Sequence, residues 1–504
     1  MKKSIFIFTI ALLLFSCTES GNKTSEGTTQ PDSVSVDVDS VAAPAVTQGD
    51  SLPADYKEKP VSAPLKKVKI VKNPTDSLAP KIISDRLSII FEDMDADLSA
   101  FAKEFKRLYP KDEYKVISYN DELKTMEISI PEDVRDLMVN GLNAQMPKFK
   151  FLVMVESVYE QQSVSQNRCP NAGWHINAIN LREAWKVTKG SPNVIVAVLD
   201  CGFDLQHEMF QGRIYNPYNI ATYDNNASYE NPEDTHGTHV AALAVGSDMH
   251  EAEGVTGVAP NCLFMPIKVM QNGICTGKMI YEAILYAVNH GADVINLSIG
   301  ENIARLDFDK LSLDFQREYA RNAKKDEELM YSIAFLKAEQ KNAIVVTSAG
   351  NDHVISAIDP KNRSGKAIVV CASDIHNQAT DFTNYGDGST VTAPGEGIFS
   401  ALPNNSYGCK DGTSMAAPIV TGLVALMKSQ NPKITTAEVV SKLKSTGKSV
   451  TGNVPALVQA DKALSRDEAV MTFTVGGVAF KMNKVEGGTF SMGATAEQGN
   501  DVFL

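Results

Sequence analysis

Val194-Ile195-Val196-Ala197-Val198-Leu199-Asp200 is an apolar run that ends in a carboxylate. With no polar residue alternating through it, such a run is covered on both faces, as the strands of a parallel sheet are. It predicts a buried strand with Asp200 at its carboxyl end. Two other segments are built alike. Asp234-Thr235-His236-Gly237-Thr238-His239-Val240-Ala241 starts an apolar helical run, and Gly412-Thr413-Ser414-Met415-Ala416-Ala417-Pro418 precedes another over residues 419–427. Each polar group stands where a strand or loop gives way to the next element. In an open α/β sheet that is the crevice in which ligands bind.

Acyl transfer from an unactivated serine needs a base to take the hydroxyl proton. It also needs an acid to fix the base's tautomer, and donors that meet the developing oxyanion. Asp200, His236 and Ser414 have those types, and Asn351, in Ser348-Ala349-Gly350-Asn351, has the side-chain amide. The chain order Asp, His, Ser is one of three unrelated orders in which this chemistry recurs. These four motifs resemble the subtilisin-like serine peptidase family, over roughly residues 174–464. The resemblance implies an α/β fold: a doubly wound, mainly parallel sheet with flanking helices. It also implies a serine endopeptidase that works through an acyl-enzyme on extended peptide substrates. A catalytically dead module gripping extended peptides is the rival, and the intact set of four residues argues against it. His239, one helical turn after His236, reads as structural.

Two more segments resemble the family's substrate cleft. Ser298-Ile299-Gly300 follows the strand-like Val294-Ile295-Asn296-Leu297 and resembles the wall of the pocket for the residue before the scissile bond. Asn272-Gly273-Ile274 resembles the edge that pairs with extended substrate, where backbone bonds give grip and alternate side chains give selectivity; an ordinary turn is the alternative. Cys201 stands where the family has Ser or Thr and reads as a small buried filler. Met209 occupies the place of an aspartate that ligates calcium in relatives. A thioether is a poor calcium ligand, so that site is not carried over; calcium stays possible and no cofactor is assigned. Residues 315–337 read as an extra exposed helix beside the cleft.

The chain has 504 residues, enough for several domains and a large core. Hydrophobic residues make up 43% and charged residues 22%, which is ordinary globular composition. The net charge of −13 makes binding to a phosphate backbone unfavourable, so no nucleic-acid partner is expected. No apolar run reaches the roughly 18 residues that a membrane span needs.

Ahead of the large domain lies a small one, assigned to residues 81–158. Leu87-Ser88-Ile89-Ile90-Phe91 reads as a strand, and Leu98, Phe101, Phe105 and Leu108 fall at helical spacing. Lys115-Val116-Ile117 and Met126-Glu127-Ile128-Ser129-Ile130 read as strands. Pro131-Glu132-Asp133 opens a second helix, with its acids placed against the helix dipole. Residues 149–158 form a last strand. The order β-α-β-β-α-β is the ferredoxin-like α+β motif, which by itself says nothing of function. Its place between a secretion signal and the peptidase-like region (170–465) suggests an inhibitory propeptide, hence a zymogen. The polar bridge 159–170 between them is the expected site of self-cleavage.

Lys2 and Lys3 followed by an eleven-residue apolar run, residues 5–15, read as a secretory signal. Leu14-Phe15-Ser16-Cys17 resembles a bacterial lipobox. That implies a signal peptide 1–16, lipidation of Cys17 and a membrane-anchored lipoprotein in the bacterial cell envelope, facing outside the cytoplasm. Ordinary cleavage would instead leave a free Cys17 thiol. Residues 17–80 are rich in Ser, Thr, Asp, Pro and Gly and read as a flexible tether. Six further cysteines permit a disulfide framework outside the cytoplasm, with fifteen pairings. Residues 471–504 resemble the opening of a sulfatase-modifying-factor-like domain, cut short. These 34 residues fall below the roughly 40 that fold alone without help.

Overall fold

The structure, a computed structural model, describes residues 59–62, 65, 68–74, 78–159, 169, 171–300, 308–465, 470–475 and 478–483. The small domain contains β1 (Ile82–Phe91), α1 (Leu98–Leu108), β2 (Lys115–Asn120), β3 (Thr125–Ser129), α2 (Arg135–Gln145) and β4 (Phe151–Tyr159). Its strands lie in the order β2-β3-β1-β4, every neighbour antiparallel. The Asp97 side chain accepts from Ala100 N at 3.0 Å and so caps α1. The Pro131-Glu132-Asp133 start forms a 3-10 turn, Glu132–Val134, that runs into α2.

Alternation along β4 gives it two jobs. Phe151 and Val153 join the core under α1 and α2, with Phe91, Phe101 and Phe105. Leu152, Met154 and Val158 point the other way and pack into the core of the large domain. The tether is shorter than expected: Val61 bridges Tyr119, Ile70–Val71 pairs with β1, and Leu65 and Val68 are buried. Apolar side chains spaced through this polar stretch find a sheet edge and a face that composition alone does not reveal.

The large domain contains β5 (Ile195–Asp200), α3 (His236–Val245), β6 (Leu263–Lys268), β7 (Cys275–Thr276), α4 (Gly277–Asn289) and β8 (Val294–Leu297). It continues with α5 (Lys325–Gln340), β9 (Ile344–Ser348), β10 (Ala367–Ser373), β11 (Val391–Pro394), the hairpin β12 (Ile398–Leu402) and β13 (Ser406–Lys410), and α6 (Thr413–Gln430). The main sheet runs β11-β10-β9-β8-β5-β6 with Tyr218–Asn219 at its edge, all parallel. Val196 and Val198 of β5 enter one core with α3 and α6, while Ala197 and Leu199 enter the other with α4 and α5. Helices on both faces explain the unbroken apolar run.

Residues 315–337 do not form one exposed helix. They divide between a helix at Leu313–Asn322 and α5. On α5, Met330, Tyr331, Ala334, Phe335 and Ala338 are buried, a stripe at helical spacing that seats against α4 and the small domain. Ser157 and Tyr159 hydroxyls donate to the Glu327 carboxylate of α5 at 2.5 and 2.8 Å. β4 then extends onto the large domain: Val158 pairs with Thr276 and Tyr159 with Cys275, antiparallel.

Cys169 and Cys409 form a disulfide, while Cys201, Cys262, Cys275 and Cys371 are free and buried. Val470–Val475 and Val478–Asn483 pair as an antiparallel hairpin. The signal, Cys17, residues 160–168 of the bridge and residues 484–504 of the tail lie outside the described residues. Among the described residues no helix is long and apolar enough to cross a membrane.

Candidate active site

Asp200 closes β5, His236 opens α3 and Ser414 is the second residue of α6, so one crevice at the carboxyl ends of the strands collects all three. His236 Nδ1 lies 2.8 and 3.0 Å from the two Asp200 oxygens, both residues essentially sealed from solvent. A carboxylate accepts only, so Nδ1 carries the proton and Nε2 presents its lone pair. Asp200 Oδ1 also accepts from Cys201 N at 2.8 Å. The Cys201 thiol is buried beside this carboxylate, and burial followed by the Asp200 charge pushes its pKa well up. It fills space as a neutral thiol.

Ser414 Oγ donates to the Ser298 carbonyl at 3.2 Å, and His236 Nε2 has no hydrogen-bond partner. Hydrogen bonds of such sites are commonly loose before substrate binds. The start of α6 is held from several sides. Pro418 sits four residues after Ser414 and has no N–H to give its carbonyl. Ser298 Oγ supplies that bond at 3.2 Å. Gly412, at φ 145°, turns the chain into the helix in a region that side-chain-bearing residues avoid.

Asn351 is oriented by Thr413, a residue to which the sequence reading gave no role. Thr413 N and Oγ1 donate to Asn351 Oδ1 at 2.8 and 2.9 Å, and Thr413 Oγ1 accepts from Gly350 N at 3.1 Å. Both donors on Oδ1 fix the amide with Nδ2 on the free side, where it is buried and unpaired. An unpaired buried donor is costly, and a ligand oxygen would satisfy it. The only sequence signal for Thr413 is its place before Ser414.

The cleft residues divide. Ser298, Ile299 and Gly300 continue β8 and are buried next to Ser414. Asn272 and Gly273 do not form an extended pairing edge. Their φ values are 53° and 72°, and Gln271 and Ile274 exchange two backbone bonds of 3.0 Å around them, making a two-residue hairpin turn. Asn-Gly is the strongest turn signal there is, and it prevails over the expected strand. Ile274 turns into the core, and pairing begins one residue later at β7. His239 Nε2 meets the carbonyls of Ile398 and Gly408 at 3.0 and 3.2 Å. Burial, more than any neighbouring charge, lowers its pKa to about 3, so it clamps the β12–β13 hairpin as a neutral ring. Met209 is buried in the core. Among the described residues no group of three or more His, Cys, Asp or Glu could hold a metal ion.

The arrangement offers a nucleophile, a base with a fixed tautomer, and an unfilled amide donor within one crevice. A family model, that of the subtilase family, matches residues 191–466. A thermophilic serine proteinase from Bacillus sp. strain AK1 is 35% identical over 248 residues, 49% of this chain and 55% of that protein. Thermitase from Thermoactinomyces vulgaris is 30% identical over 253 residues, 50% of this chain and 80% of thermitase. The chain thus spans little more than half the length of the first of these relatives and most of the second. Fervidolysin from Fervidobacterium pennivorans, a keratinolytic enzyme related to subtilisin, superposes with a TM-score of 0.58 at 20% identity, covering 78% of this chain and 62% of that one. At that identity the likeness speaks for the fold alone.

Proposed function

This chain belongs to the subtilase family; from that premise we propose that it is a serine peptidase, a secreted, lipid-anchored endopeptidase made as a zymogen, with Asp200, His236, Ser414 and Asn351 as its catalytic set. The observation that carries the assignment is the His236–Asp200 contact of 2.8 Å beside Ser414 and an unpaired Asn351 amide. His236 Nε2 takes the Ser414 proton as Oγ bonds to the substrate carbonyl carbon. The carbonyl oxygen becomes an oxyanion that accepts from Asn351 Nδ2. His236 then gives its proton to the departing amine as the C–N bond breaks, leaving an acyl-serine. Water repeats the sequence: His236 takes its proton, the hydroxide displaces Ser414 Oγ, and the proton returns to the serine. Asp200 holds the imidazole in register and stabilises its cation throughout.

The small domain is the propeptide in this reading. Its last strand pairs with β7 of the large domain, and the chain that continues from Tyr159 enters the bridge. The composition of the bridge supports cutting there, and the N-terminal signal with Cys17 supports export and anchoring. Outside the cytoplasm the Cys169–Cys409 disulfide forms, and it keeps the segment after the bridge tied to the β12–β13 hairpin once the bridge is cut. The test is a fluorophosphonate label on the purified full chain, with casein hydrolysis measured in parallel. Labelling of Ser414, lost together with hydrolysis in Ser414→Ala, is the expected result. Undiminished hydrolysis in that variant refutes the assignment.

A further inference from the structure

A buried salt bridge lies against Gly300, two residues along from Ser298, whose hydroxyl holds the Ser414 carbonyl. β8 and β9 are parallel neighbours, and their continuations, Ser298–Gly300 and Ala349–Asn351, flank the nucleophile. The turn Pro360–Arg363 contacts both of them. Asn362 Nδ2 donates to the Ala349 carbonyl at 3.2 Å, which ties the turn to the β9 side. On the β8 side, a methyl group built at Gly300 would lie 2.9 Å from Lys361 Nζ and 3.0 Å from Asp359 Oδ2. Glycine leaves that space open, and what it faces is a salt bridge.

Asp359 and Lys361 are 3% and 1% exposed. Asp359 Oδ1 accepts from Lys361 N at 3.1 Å, and Oδ2 accepts from Lys361 Nζ. That is the only hydrogen bond of the ammonium among the described residues, and an ammonium has three N–H groups to place. The carboxylate likewise keeps acceptor sites to spare. The pair is neutral as a unit yet has both a donor and an acceptor unspent.

Building on the peptidase reading, we infer that Asp359 and Lys361 determine specificity, selecting substrates with an amide side chain, glutamine or asparagine, before the scissile bond. A primary amide matches the pair: its oxygen accepts from Lys361 Nζ and its NH₂ donates to Asp359. A carboxylate or ammonium on the substrate would bring a third, uncompensated charge to a buried pair. An aliphatic or aromatic side chain would cover both charges and return no hydrogen bond. The chain's own bridge agrees in chemistry, since it carries Gln161, Gln162, Gln166 and Asn167.

The experiment measures kcat/KM for a set of quenched fluorescent peptides that differ only in the residue before the scissile bond. The mature enzyme is expected to cut after Gln or Asn about 10²-fold faster than after Leu or Met, because a site that hydrogen-bonds its substrate rejects the apolar analogue strongly. Lys361→Ala leaves Asp359 alone and moves the preference to Arg and Lys. Asp359→Ala moves it to Glu and Asp. Lys361→Arg, which keeps the cation, retains the amide preference, and fluorophosphonate labelling reports that each variant is folded. Wild-type preference for a charged, aliphatic or aromatic residue overturns the inference, whatever the variants do. A wild-type chain that neither takes the label nor cuts any peptide refutes the peptidase reading, and this inference with it.

Discussion

Glu156 makes the union of the two domains sensitive to pH. It sits on the face of β4 that meets the large domain, fully buried. Burial, and after it the charge of Glu127, raises its pKa to about 8; Lys278, the Thr276 hydroxyl and Arg86 oppose the rise only in part. Cys275 is the other titratable neighbour, and its thiol is itself pushed up by burial and then by Glu156. The docked state thus prefers the neutral acid. Its stabilising contribution is complete below the ordinary glutamate value of about 4.3 and is lost as pH rises to about 8. Each pH unit in that window costs about 1.4 kcal/mol, so the assembly loses up to roughly 5 kcal/mol between pH 4.5 and pH 8. The assay is thermal unfolding of the uncut Ser414→Ala chain between pH 4.5 and pH 9, with and without Glu156→Gln. The glutamine copies the neutral acid and does not titrate. The parent is expected to lose melting temperature steadily across the window, and the Glu156→Gln chain to lose much less. Superimposable profiles of the two chains would show that Glu156 does not titrate between these states, and the reasoning from its burial would fail.

Asn351→Ala should lower kcat about 10²–10³-fold through loss of one oxyanion donor, read with a peptide substrate under saturating conditions. Thr413→Val removes one of the two bonds that orient that amide and should cost about tenfold in kcat with KM little changed; an effect on KM alone would contradict the positioning role. Cys17→Ala should move the protein from the membrane fraction to the soluble one, and a wild-type N-terminal peptide without added lipid mass would refute anchoring. Ser414→Ala should accumulate the uncut precursor, while N-terminal sequencing of active enzyme should find a start within the bridge, residues 159–170. An active enzyme whose only start is near Cys17 would refute the propeptide reading.

The meeting of Asp200, His236 and Ser414, the candidate catalytic residues, was legible because their constraints are local in sequence. An apolar run ending in Asp200, a helix opening at His236 and a glycine-threonine-serine start at Ser414 each declare a strand or helix end, where the parallel sheet puts its crevice. The elements of the small domain were legible for the same reason, since the side-chain periods of 2 and 3.6 survive in β1, α1 and β4. At Asn272 and Gly273 the backbone preference of two adjacent residues decides for a turn, the other of the two readings their sequence allows. What only the tertiary structure decided are facts of partnership between distant residues. The seat of the small domain on α5, the choice of Cys409 for Cys169, the hold of Thr413 on Asn351 and the Asp359–Lys361 pair against Gly300 join segments up to 240 residues apart. A sequence states which side chains can be buried or bonded; which of them meet depends on how strands and helices pack, and packing leaves no local period to read.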